Sequence, residues 1–189
     1  MKIGIFGGSF NPIHNGHIAI GRTMLRAMAL DEVWYMVSPC NPLKRAADLL
    51  DEKERLRMVR KALEGEERLV ASDYEFPLPR PSYTWNTLQR LHADYPENEF
   101  VLIIGGDNWT AFPRWAHHED ILATHRIAVF PREGAEVRGD QPRNVTMVRV
   151  PMVNVTSTML RAMVRAGQDI TPFVPACVAA DIVRNYARG

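Results

Sequence analysis

The chain has 189 residues, 46% hydrophobic and 24% charged, proportions that suit a single folded domain over residues 1–189 and exclude bulk disorder. Its 23 basic and 22 acidic residues leave a formal charge of +1, so no global field exists to hold nucleic acid or an anionic membrane. Any anion must be gripped by local geometry.

Cys40 and Cys177 have neither CxxC spacing nor a neighbouring His pair, which excludes a disulfide framework and a zinc finger. The opening apolar run is one strand long and ends in glycines, unlike a secretory signal. No stretch approaches the ~20 apolar residues of a membrane span. The expectation is a cytoplasmic protein with no membrane partner.

Lys2 to Phe6 is short, apolar and β-branched and stops at Gly7-Gly8, which predicts a buried strand. From about Gly16 to Ala29, helical spacing puts Ile18, Leu25 and Met28 on one side. Val33 to Val37 is a second strand. Asp51 to Glu64 predicts an amphipathic helix with Leu56, Val59 and Leu63 inward, and Asp51 with Glu54 has capping-box spacing. Leu69 to Ala71 is a weaker strand, followed by a proline-rich loop from Phe76 to Pro81. Thr84 to Tyr95 predicts a helix capped by Thr84. Phe100 to Ile104 is a strongly apolar strand, and Ile127 to Phe130 and Val145 to Val150 are two more. Helices from Thr156 to Ala166 and Pro175 to Tyr186 close the chain, the last with no legible chemistry. This alternation predicts an α/β fold with a doubly wound parallel sheet, whose ligands sit beyond the carboxyl ends of the strands.

The turn after the first strand reads Gly7-Gly8-Ser9-Phe10-Asn11-Pro12-Ile13-His14-Asn15-Gly16-His17. Paired glycines let the backbone bend and approach a ligand with no Cβ in the way. His14 and His17, three apart as a helix begins, can face one side of its first turn, beside unpaired N–H groups that attract anions. Ser9 and Asn11 add small polar contacts. This segment resembles the phosphate-binding signature of the HxGH nucleotidyltransferases, GG(T/S)FDPxHxGH in its usual form, with Asn11 in place of the aspartate. The resemblance implies a Rossmann-like sheet, in agreement with the element pattern.

Four later segments extend it in order. Ser38 to Lys44, after the second strand, resembles a nicotinate-mononucleotide adenylyltransferase stretch ending in PPHK, with Asn41 and Leu43 as departures and Lys44 retained. Ser82-Tyr83-Thr84 with Thr87-Leu88 resembles the same family's SYTxxTL helix start. Gly105 to Trp115 resembles its GxDxxxxFxxW motif, in which the final tryptophan stacks on the pyridine ring; Trp109 and Phe112 read as packing. Thr156 to Arg161 resembles ISSTxxR, three hydroxyls at a helix start with an arginine one turn on.

Carried over residue by residue, the resemblance implies transfer of AMP from ATP to nicotinate mononucleotide, giving deamido-NAD and pyrophosphate in NAD biosynthesis. His14, His17, Lys44 and Arg161 would be catalytic. Gly7, Gly8, Ser9, Phe10, Gly105, Asp107, Ser157 and Thr158 would join His14, His17 and Arg161 around ATP. Ser9, Asn11, Lys44, Tyr83, Thr84 and Trp115 would hold the acceptor. Mg²⁺ would arrive mainly on the ATP phosphates, because no residue set reads as a dedicated metal site. Another phosphorylated acceptor such as phosphopantetheine, a non-catalytic nucleotide sensor and a homo-oligomer all stay open.

Overall fold

The first strand is apolar on both faces, and the fold puts it in the middle. The computed structural model describes residues 1–39, 49–131, 141–151 and 153–187. Lys44, Cys40, Asn41 and Leu43 lie outside them. Strands β1 (Lys2–Gly8), β2 (Glu32–Val37), β3 (Leu69–Ser72), β4 (Glu99–Gly105), β5 (Arg126–Phe130) and β6 (Val145–Met147) form one sheet in the order β3-β2-β1-β4-β5-β6. Every pairing is parallel. The predicted α/β doubly wound sheet is therefore the observed one, and its direction reverses between β1 and β4, where such sheets bind nucleotides.

Helices cover both faces, which is why Ile3, Ile5, Val101 to Ile104 and Ile127 to Phe130 read as continuous apolar runs rather than alternating ones. On one face α1 (Asn15–Ala27), α2 (Glu52–Ala62), α6 (Ser157–Arg165) and α7 (Ala176–Tyr186) bury Met24, Met58, Val59, Leu160 and Ile182 against Phe6, Tyr35 and Ile103. On the other, α3 (Thr84–Asp94) and α5 (His118–Thr124) bury Leu88, Leu91 and Ile121 against Ile3, Ile5 and Leu102. Among the described residues no helix is long and apolar enough to cross a membrane.

Several boundaries differ from expectation for identifiable reasons. Thr84 is the first helical residue, not the cap; Tyr83 holds the cap position and makes no side-chain cap bond, so that helix end keeps its free N–H groups. Asp51 does cap α2, accepting from the N–H groups of Lys53 and Glu54, but Glu54 turns to Arg57 instead of closing the box. Strand β6 ends at Met147. Helix α4 (Gly106–Ala111), a 3₁₀ turn at Phe112–Arg114 and α5 were not anticipated, because pieces of six, three and seven residues are too short to display a helical period.

At the amino ends of the strands, His92 of α3 and His125 after α5 meet with Nε2 atoms 2.9 Å apart. The Thr124 hydroxyl donates to the Asp120 carbonyl and so accepts from His125 Nδ1 at 2.8 Å, leaving His125 Nε2 as the acceptor for His92. Burial, with the His92 ring adding to it, pushes His125 down to about 4 from the usual 6.5. The unfolded chain therefore takes a proton that the folded chain refuses, so this contribution to stability is complete above pH 6.5 and lost as pH falls toward 4. The thermal midpoint should fall across that window, and His125→Asn should flatten the fall there. Melting curves of the two proteins with the same slope would contradict the assignment.

Candidate active site at the β1–β4 switch point

The Gly7-Gly8 backbone leaves the sheet and turns through Phe10, whose φ is +43°. That left-handed residue is held by packing: the Phe10 ring is buried against Phe6, Tyr35 and His17, with centroids 5.6, 5.5 and 5.0 Å away. Any nucleotide contact of Phe10 is therefore through its backbone. Helix α1 follows with His14 at its cap position. The His14 N–H donates to His17 Nδ1 at 3.3 Å and the two imidazoles stack at 3.6 Å, so they present themselves to one side as a unit. Gly16 makes this stack fit: a Cβ there would lie 3.0 Å from His14 Nδ1 and 3.4 Å from Val155.

Helix α6 abuts the same turn. Thr156 caps it by accepting from the Met159 N–H, Ser157 Oγ donates to the Pro12 carbonyl at 2.9 Å, and Arg161 donates to the Asn11 carbonyl at 2.8 Å. Thr158, exposed, sits within 3.5 Å of the other Arg161 nitrogen. A single-turn cluster of imidazoles, hydroxyls, a guanidinium and helix-start N–H groups results, a donor set suited to phosphate oxygens. Asn11 is buried, and its Oδ1 accepts from the Tyr186 hydroxyl at 2.6 Å and the Leu50 N–H at 3.2 Å. An amide oxygen serves these two donors as an aspartate would, without the charge.

The residue that ties the site together is Arg55 of α2, fully buried. Its guanidinium donates to the carbonyls of Ser9 (2.7 Å), Ser38 (2.9 Å), Leu50 (2.8 Å) and Pro39 (3.4 Å). It thereby joins the loops after β1 and β2, and burial lowers its proton affinity from the usual range.

Across the sheet rim, a cavity of about 220 Å³ opens beside Gly7 and Gly8. Ser38, Glu75, Ser82, Tyr83, Thr84, Thr87, Asn108, Arg114 and Trp115 are among its walls, over a floor that includes Ile5, Leu102 and Ile104. A Cβ on Gly7 would meet no protein atom within 4 Å, so that space is open to a ligand. The Trp115 indole lines it half-buried, packed on Phe112 at 5.5 Å, and its Nε1 has no partner among the described residues.

Residues 5–163 match the cytidylyltransferase-like family. The chain belongs to the cytidylyltransferase-like family. Within it, this family member is 47% identical to a probable nicotinate-nucleotide adenylyltransferase of Bacteroides fragilis, over 97% of this chain and 92% of that one. It is 44% identical to a protein of the same description from Bacteroides thetaiotaomicron, over 100% and 93% of the two chains. Among solved structures, Plasmodium falciparum nicotinic acid mononucleotide adenylyltransferase complexed with NaAD superimposes with a TM-score of 0.82 over 99% of this chain and 96% of that one, at 17% identity. That likeness speaks for the fold.

In this cytidylyltransferase-like protein the structure brings Gly7, Gly8, Ser9, Asn11, His14, His17, Ser157, Thr158 and Arg161 to one turn, and Tyr83, Thr84 and Trp115 to the adjoining cavity. Gly105 ends β4 at the same rim, and Asp107 lies exposed in the first turn of α4. Lys44 lies outside the described residues. Trp109 and Phe112 stack on each other at 5.1 Å, and Trp109 donates to Gln141, as packing residues do. Sequence reasoning passed over Arg55, Glu75 and Arg114. Arg55 had one visible sign: it is in helical register with Val59 on the inward side of α2.

Proposed function

We propose that this protein transfers the adenylyl group of ATP to the phosphate of nicotinate mononucleotide, releasing pyrophosphate and forming the deamido dinucleotide. The observation that carries this is the sharing of Gly7-Gly8 between a phosphate-suited cluster on one side and an aromatic-walled cavity on the other. The full-length similarity to proteins of that description supports it.

An acceptor phosphate oxygen attacks the α-phosphorus of ATP; the bond from that phosphorus to the bridging oxygen of the β-phosphate breaks, and pyrophosphate leaves with the electron pair. The attacking phosphate is already anionic near neutral pH, so position and charge neutralisation are the protein's task. His14, His17, Ser157, Thr158 and Arg161 surround the triphosphate, with Lys44 assisting. Gly7, Gly8, Ser9, the Phe10 backbone, Gly105 and Asp107 hold the rest of ATP. Trp115 faces the acceptor ring, the free N–H groups at Tyr83-Thr84 take its carboxylate, and Ser9 and Asn11 shape the path to its phosphate. The site's side chains are phosphate donors, whereas Mg²⁺ takes oxygen ligands and waters; when bound through the triphosphate it neutralises phosphate charge.

Steady-state pyrophosphate release tests the reading. The kcat/KM for nicotinate mononucleotide should exceed that for the nicotinamide nucleotide by about tenfold or more, because an amide cannot satisfy donors arranged for an anion. Phosphopantetheine should give no turnover. Equal efficiency with the two pyridine nucleotides would remove the substrate assignment.

A further inference from the structure

Among the described residues the fold buries two carboxylates, Asp181 and Glu75. Asp181 lies among three cations: Lys61 at 3.0 Å, Arg57 at 3.4 Å and Arg184 at 2.5 Å. Glu75 has no cation within ion-pair distance among the described residues. Its neighbours are hydroxyls: Thr87 donates to it at 2.9 Å, and those of Ser38 and Ser82 face it. Three hydroxyls steady a buried carboxylate but supply no opposite charge, and burial raises its proton affinity above the usual carboxylate range. A buried anion left without a counter-charge is uncommon, and this one lines the acceptor cavity.

The cavity therefore has two electrical ends. Glu75 is its negative group. Arg114, which has no ion pair among the described residues, and the uncapped start of α3 at Tyr83-Thr84 are its positive ones. The ring of nicotinate mononucleotide has the matching polarity: its nitrogen, bonded to ribose, carries a formal positive charge, and its carboxylate a negative one. Trp115 adds an aromatic face, which also favours a cation.

We propose that Glu75 is a specificity-determining residue, the counter-charge that makes this cavity select an acceptor ring with a positively charged nitrogen. The proposal rests on the acceptor reading given above. It also gives Ser38, Ser82 and Thr87 a task, that of holding the carboxylate ionised and aimed while it is desolvated.

The experiment compares two ligands by titration calorimetry: nicotinate mononucleotide, and its neutral isostere with carbon in place of the ring nitrogen, the 3-carboxyphenyl C-riboside 5′-phosphate. The unaltered protein should bind the charged ring about tenfold or more tightly than the neutral one. Glu75→Gln keeps shape and hydrogen bonding; it should weaken the charged ligand by about tenfold while leaving the neutral ligand and the KM for ATP within about twofold. Equal weakening of both ligands would mean that Glu75 only positions the loop, and would overturn the proposal. So would an unaltered protein that binds the two rings alike, a result that does not depend on how the variant folds. Failure of both ligands to bind the unaltered protein would overturn the acceptor reading and this proposal with it.

Discussion

Replacing His17 with alanine should lower kcat by ~10²–10³ at saturating ATP and nicotinate mononucleotide, the usual loss when a preorganised donor is removed from developing charge. The geometry explains why this ring should matter so much. His17 Nδ1 accepts the His14 N–H, so in the neutral ring the hydrogen sits on Nε2, ready to donate. Phe10 and Phe6 pack it edge-on and tilted at 5.0 and 6.2 Å, and the Tyr35 hydroxyl donates to its carbonyl at 2.9 Å. A ring already fixed in place loses little freedom when the transition state forms. The KM for ATP should move far less, because Arg161 and the α6 hydroxyls remain. His17→Asn, which keeps a donor on a shorter arm, should recover part of the loss. Turnover of the alanine variant within about threefold of normal would show the ring to be a packing residue.

Arg55→Met should destabilise the protein by about 3 kcal/mol or more, among the larger effects a single change can have. Methionine fills much of the volume but donates nothing, so the carbonyls of Ser9, Ser38, Pro39 and Leu50 lose their shared donor inside the fold. Lysine should rescue little, since a single ammonium with three donors cannot span acceptors arranged around a planar five-donor fork. Urea unfolding monitored by tryptophan fluorescence provides the check. A midpoint shift worth under about 1 kcal/mol would mean that water replaces the guanidinium, and that the two loops stand without it.

The elements that position the site were legible where local chemistry demands particular residues. Gly7-Gly8 with His14 and His17 marks a strand, a tight turn and a helix start in eleven residues, and Thr156 to Arg161 marks another helix start by its hydroxyls. The parallel alternation foretold the sheet, though not that β4 lies beside β1. Glu75 shows the limit. It follows a weak strand in a loop with no motif, and its meaning comes only from burial beside Thr87, twelve residues on. Arg114 is similar, an ordinary surface residue until the cavity is drawn around it. Tyr186 looked like simple packing because its partner is 175 positions away, a separation no local pattern can encode.

That last contact bears on how the molecule matures in the cell. Asn11 leaves the ribosome among the first residues, yet the phenol that clasps it emerges almost at the end of translation. A nascent chain halted before α7 would have the sheet's central strands but an unlatched nucleotide turn. Competence to bind substrate is thus acquired late and all at once, rather than growing with the chain.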